Sequence, residues 1–235
     1  MVRSKNTLTL IATVLAISCI VIMFLLGFWQ LDRKSEKEAR LEQISQRQES
    51  NPLRLEDLID NPEKFVDFPL MLTGELSNQT FFIDNKLKNG VAGYEVLSTL
   101  RSDYGVVLIN LGWVPGTGDR SRLPEIILPN TSEHLGLVYV PQDNIMVSET
   151  NSNYGRFPVV LQQIDIAEIE QHLGEDVLPF TLRLNANEST PFLRQWEVVN
   201  MPPERHLGYA IQWFGLGVAG LTVFLLTIMK SMQRR

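Results

Sequence analysis

The chain has 235 residues, 27 of them acidic against 21 basic, and a formal net charge of −6. That balance argues against nucleic acid as a partner, because a polyanion needs a basic footprint. The single cysteine, Cys19, excludes a disulfide framework, a CxxC redox pair and a thiolate metal cluster within one chain.

From the N-terminus, the first element is an uncharged apolar run from Leu8 to Trp29. At about 1.5 Å per residue it reaches roughly 33 Å, enough to cross a hydrocarbon core. The competing reading is a cleaved signal peptide. The run is longer than the usual ~7–15 apolar residues, and Leu26-Gly27-Phe28-Trp29-Gln30 offers no small-x-small cleavage site. A transmembrane helix is therefore predicted over 8–29. As it ends, Trp29, Gln30, Arg33 and Lys37 fall on one helical stripe. Charge pairs at i,i+4 (Lys34/Glu38, Glu36/Arg40) predict that the helix continues over 30–48 until Asn51-Pro52 breaks it. A short helix is expected over Leu53 to Ile59.

The next segment reads as strands. They are predicted at Phe68 to Glu75, Thr80 to Asp84, Gly93 to Leu100, Val106 to Trp113, His134 to Val140, Phe157 to Gln163, Phe180 to Leu184 and Trp196 to Val199. Turns are expected at Asn89-Gly90, Asp103-Tyr104-Gly105 and Pro115-Gly116-Thr117-Gly118. Alternation puts Tyr94, Val96, Ser98 and Leu100 on one face of their strand and Glu95, Leu97 and Thr99 on the other. One helix interrupts the series: Asp165-x-x-Glu168 is a start signal resembling a capping box, and Gly174 a stop. Short strands between Pro/Gly turns predict a β-rich α+β domain, an antiparallel sheet or small barrel.

Catalytic patterns are sparse in this domain. HExxH, GxSxG and phosphate-binding loops are absent. Gly116-Thr117-Gly118-Asp119 starts like a dinucleotide loop but lacks the third glycine and the strand–helix setting, so a turn is the expected reading. Glu168 and His172 share a helix face and are read as an exposed pair. Asn78-Gln79-Thr80, Asn130-Thr131-Ser132 and Asn187-Glu188-Ser189 match the glycosylation sequon, which is short enough to arise by chance. No enzyme activity is expected.

A second apolar run predicts another transmembrane helix over 207–229, leaving 30–206 as the domain between the two. All 27 acidic residues lie between the runs, together with all but five of the 21 basic ones, so this segment carries about −11. The five are Arg3, Lys5, Lys230, Arg234 and Arg235. Basic tails on a two-span chain place both termini in the cytoplasm and the domain outside it, although Arg33, Lys34, Lys37 and Arg40 follow the first span closely. Pro202, Pro203 and Glu204 suit the first turn of the second helix. His206, Ala210, Trp213 and Gly217 then form a stripe, with Tyr209 adjoining. His206 admits two readings. It is either an interfacial histidine among belt aromatics, or an axial ligand of haem iron, with the macrocycle among Tyr209, Trp213 and small residues. In the second case Arg205, Arg194 and Arg33 could pair with the propionates. Ala12/Ala16 and Gly215/Ala219 are candidate small-residue faces for packing the two helices.

Four blocks together carry a resemblance: Gly27-x-Trp29-Gln30-x-x-Arg33; Leu72-Thr73-Gly74 with Gly93-Tyr94-Glu95-Val96-Leu97; Val107-Leu108-Ile109-Asn110-Leu111-Gly112-Trp113-Val114-Pro115; and His206 to Leu216. The chain resembles the Surfeit locus protein 1 family, membrane factors for assembly of haem–copper cytochrome c oxidase. The family pattern often has an arginine where this chain has Leu111. The resemblance implies a protein of the cell inner (cytoplasmic) membrane, its domain periplasmic, working on oxidase subunit I alongside the haem a synthesis machinery. It also implies haem a handling, with His206 as iron ligand and Tyr209, Trp213, Arg205, Trp29, Gln30 and Arg33 around it. The alternative is a membrane scaffold that steadies an oxidase intermediate and binds no cofactor. A membrane enzyme lacks its constellation, and a copper chaperone lacks a thiolate pair, since Cys19 is alone.

Overall fold

Apolar residues at both ends of the chain dictate two long helices in the computed structural model, which describes residues 2–119, 122–142, 156–186, 190–196 and 199–233. The first, α1, runs Val2–Gln48, and the last, α3, runs Pro203–Gln233. Both are long and apolar enough to cross a membrane, by length and composition. The polar continuation of α1 forms: Lys34 and Glu38 pair at 2.6 Å as their spacing predicts, and Glu36 also pairs with Arg33 at 2.7 Å. The chain divides into two units, residues 1–43 with 197–235 and residues 44–196.

In the helical unit, α1 and α3 pack through glycines. A Cβ on Gly27 would lie 2.6 Å from the Phe214 ring, and one on Gly217 would lie 3.0 Å from the Phe24 ring. Gly220 meets Ile20 in the same way, at 3.4 Å. Phe28 also stacks edge-on against Phe214, at 5.1 Å between centroids. The small-residue pair expected at Gly215/Ala219 is not the contact face. Both residues are exposed, and nothing lies within 4 Å of a Cβ on Gly215. Bulky aromatic rings need the glycines opposite them, and those glycines set the helix rotation instead.

The second unit is a seven-stranded sheet. Its strands are β1 (Pro69–Thr73), β2 (Ser77–Lys88), β3 (Val91–Ser102), β4 (Gly105–Pro115), β5 (Glu133–Tyr139), β6 (Val159–Leu161) and β7 (Val177–Leu184), with α2 (Ile166–Leu173) between the last two. Their spatial order is β1-β5-β7-β4-β3-β2-β6. The sheet is mixed rather than antiparallel and does not close into a barrel. β7 lies antiparallel to β5 but parallel to β4, and β6 lies parallel to β2. The turn signals specify only the hairpins β2–β3 and β3–β4, and β7 reaches β4 by a long connection through α2. At the first hairpin Asn89 and Gly90 take φ of 51° and 78°, the positive values a tight two-residue turn requires.

β4, a nearly unbroken apolar run, is buried on both faces. Val107, Ile109 and Leu111 enter a larger core with Phe82, Val96, Phe180 and Leu182. Val106 and Leu108 enter a smaller one with Phe81, Leu97, Leu161 and Ile169 of α2. α2 starts on the Asp165 carboxylate, which accepts from the Glu168 N–H at 3.0 Å, and stops at Gly174 with φ 70°. Leu53 to Ile59 contains a single 3-10 turn, Leu55–Asp57, rather than a helix. Trp196 and Val199 lie in no strand, and residues 197–198 between them lie outside the described residues; Leu193 instead pairs with Trp113. The sequon at 187–189 and the basic termini Arg234 and Arg235 also lie outside the described residues.

A bulge interrupts the β3–β4 pairing. Val96 faces Gly112 and Leu97 faces Asn110, so Leu111 is the extra residue. Asn110 is fully buried and satisfied: its amide donates to Glu95 at 3.0 Å and its carbonyl accepts from the Gly112 N–H at 3.1 Å. Gly112 sits at φ +120°, and a Cβ there would meet Phe192 Cβ, Leu193 O and Arg194 Cγ at 3.0 Å each. Leu111 is fully buried in the larger core.

Candidate functional site

The first turn of α3 is built from Pro203 and Glu204, with the Arg205 N–H donating to the Pro202 carbonyl at 3.1 Å. From there helical spacing decides which side chains turn inward. His206, Ala210 and Gly217 are buried, and Trp213 is half-buried, so the stripe read from the sequence faces inward. Tyr209 and Arg205 fall off that stripe and are exposed.

Across from His206 stands Gln30 of α1. The His206 ring Nδ1 lies 2.7 Å from the Gln30 side-chain oxygen. An amide oxygen only accepts, so Nδ1 carries a proton in this bond, and in the neutral imidazole Nε2 then has the lone pair. His206 Nε2 is buried and has no hydrogen-bond partner. A buried polar atom without a partner costs free energy and calls for a reason.

The remaining predicted residues divide around this pair. Trp29 and Arg33 are exposed and engage each other, the guanidinium 5.5 Å from the ring centroid, with Arg33 also bonded to Glu36. Arg194 is held by backbone carbonyls of its own unit. It belongs to the sheet unit, where it donates to the carbonyls of Leu111 at 2.8 Å and Asn185 at 2.9 Å, and burial pushes its guanidinium below the ordinary arginine value. Glu168 and His172 are also not the exposed pair that spacing suggested. The His172 side chain is fully buried, 3.4 Å from the Glu168 carboxylate and edge-on to Phe81. α2 turns this polar face onto the smaller core, which a helix-face argument without its partner surface does not reveal. Gly116 to Gly118 form a turn that no helix follows among the described residues before β5, and the Thr117 hydroxyl lies 2.8 Å from the carbonyls of Asp119 and Arg122. Among the described residues, no group of three His, Cys, Asp or Glu is placed to hold a metal ion.

The SURF1 family model matches residues 17–218, a span that contains both Gly27 to Arg33 and His206 to Gly217. The chain belongs to the SURF1 family. That family is linked to cytochrome c oxidase assembly; it is a family of assembly factors and not a known enzyme family. No curated protein matches the chain. Sequence reasoning placed Gln30 and His206 on helical stripes but missed Gly27, Phe24 and Phe214 as the residues that hold the SURF1-family helix hairpin together. The signal was present: a glycine in one apolar run and a phenylalanine in the other, each three to four residues from its neighbours on the same stripe.

The residues around His206 can be tested against a haem group. The donor chemistry fits: an imidazole with its proton on Nδ1, oriented by a second residue, offers Nε2 to iron. Half-buried Trp213 and exposed Tyr209 supply aromatic surface. Since Nε2 is covered by protein atoms, binding a macrocycle there requires that cover to move.

Proposed function

We propose that this protein is a membrane-held assembly factor for haem–copper cytochrome c oxidase that presents His206 to haem a as the group enters subunit I. α1 and α3 span the cell inner membrane, both termini are cytoplasmic, and the sheet unit is periplasmic. The observation that carries the reading is the buried His206 Nε2, unpartnered while Nδ1 is bonded to Gln30. When bound, haem a supplies a redox-active iron and two carboxylates. His206 would hold the iron, Gln30 keeps the ring in one tautomer and one orientation, and Arg33 and Arg205 place cations at the same end of the helix pair. Trp29 holds the Arg33 guanidinium by its ring face.

One observation favours a second reading, a scaffold that steadies subunit I without cofactor: Nε2 is closed off rather than open. Absorption spectra separate the two. Protein purified from cells making haem a should show a Soret band, and His206→Ala should abolish or shift it while the protein stays in the membrane. An unchanged spectrum in the variant refutes the ligand role. A parent protein that carries subunit I but no Soret band establishes the scaffold.

A further inference from the structure

The residue that orients His206 carries no charge. Gln30 is half-buried, and its amide oxygen lies 2.7 Å from the ring Nδ1. Among the described residues that is the ring's one hydrogen bond, and no carboxylate pairs with it. Carboxylates are near in sequence but turned away. Asp32 and Glu204 each stand two positions from a member of the pair, about 200° round their helices, and both are exposed. Glu36 is taken by Arg33 at 2.7 Å and Glu38 by Lys34 at 2.6 Å. The other ring nitrogen is closed off: His206 is 8% exposed and its Nε2 is covered.

Both features weaken the hold of Nε2 on a metal. A histidine ligand donates its second N–H to a carboxylate, a carbonyl or water, and a carboxylate there draws the proton and raises the donor strength of the ring. A neutral amide accepts the same bond without the charge. It fixes tautomer and orientation but adds little donor strength. The cover over Nε2 acts in the same direction. Binding must displace it, so the apparent affinity falls by the fraction of molecules that are open. A permanently held group would be served by the opposite choices.

We infer that Gln30 is a positioning residue whose neutral amide keeps His206 a loose ligand, so that haem is exchangeable cargo of this site and not a resident cofactor. This role rests on the haem reading of His206 and adds how the group is let go. Release breaks one Fe–Nε2 bond and returns its electron pair to the ring, with no change of oxidation state. The test compares the full-length parent with Gln30→Glu and Gln30→Leu, each purified in detergent from cells making haem a. The measurements are made at pH 8, above the ordinary carboxylate range. Transfer of haem to excess apomyoglobin is followed by the Soret band, and the midpoint potential by redox titration. Gln30→Glu should lose haem about tenfold more slowly and have a lower potential, while Gln30→Leu should lose it about tenfold faster or carry none. Loss from Gln30→Glu as fast as from the parent, or slower loss with the potential unmoved, overturns the role. A parent that keeps its haem against the excess apomyoglobin holds a resident cofactor and also overturns it. If Gln30→Glu does not reach the membrane, Gln30→Leu decides: loss within about twofold of the parent overturns the role. A parent with no Soret band, or with one that His206→Ala leaves unchanged, defeats the ligand reading itself and this role with it.

Discussion

Replacing Gly112 with alanine tests the bulge that carries the third motif block. Two costs add. A non-glycine residue at φ +120° is strained by about 1–2 kcal/mol. The new methyl also meets Phe192 Cβ, Leu193 O and Arg194 Cγ at 3.0 Å. Two of those atoms are backbone oxygen or Cβ and cannot swing aside, so overpacking adds about 1–3 kcal/mol. The expected loss is about 3 kcal/mol. For a unit of this size a loss of that order lowers Tm by about 6–12 °C. Gly118→Ala is the internal control, because Gly118 sits at φ +81° with nothing within 4 Å of its Cβ position. It should show strain alone, about 1–2 kcal/mol or roughly 2–8 °C. Thermal unfolding of the detergent-solubilised chain, followed by tryptophan fluorescence, measures both; Trp113 and Trp196 lie beside the bulge and the segment packed on it. Equal shifts in the two variants would refute the claim that close approach of residues 192–194 dictates glycine at 112.

Cysteines introduced by Gln30→Cys and His206→Cys in a Cys19→Ser background should link within one chain under a short bifunctional reagent, while Gln30→Cys with Ile228→Cys should not; links only between chains would show a site assembled by two copies. A periplasm-active reporter fused near Asn130 should be active and one fused after Arg235 silent, the reverse pattern overturning the proposed topology. The Arg101 guanidinium bonded to Glu175 holds that carboxyl below the usual carboxylate range. A lowered folded value means the contribution is present above the unfolded pKa and lost as pH falls through the folded one. The Tm difference between the parent and Arg101→Leu should therefore be small, since the pair is exposed, and should vanish in acid; a gap that widens below about pH 4 would contradict the sign.

Much of the fold was legible because local chemistry alone decided it. Asp165 and Gly174 bound α2 by capping, Asn89-Gly90 closed its hairpin by a left-handed turn, and the apolar run Val106 to Trp113 marked its strand. Strand partnership was not legible. Nothing in Val177 to Leu184 says that it inserts between β5 and β4, because parallel pairing depends on a long connection rather than a turn signal. The same limit explains Glu168 and His172, whose helix face was clear but whose partner surface was not. At the candidate site the stripe His206–Ala210–Trp213–Gly217 was readable from helical spacing. Its rotation against α1 was not, since small residues at four-residue spacing occur on more than one face, and only the rings of Phe24 and Phe214 select among them.

Those two rings have a mechanical consequence. Each helix lends a phenylalanine to a glycine of the other: Phe214 over Gly27, and Phe24 against Gly217. Moving one helix along the other by a single turn, about 5.4 Å, would unseat both rings at once and part Gln30 from His206 as well. The hairpin thus has one register, enforced from both sides like a key cut on two edges. Axial sliding therefore costs both ring–glycine contacts together, whereas splaying or twisting of the helix ends leaves this middle in place.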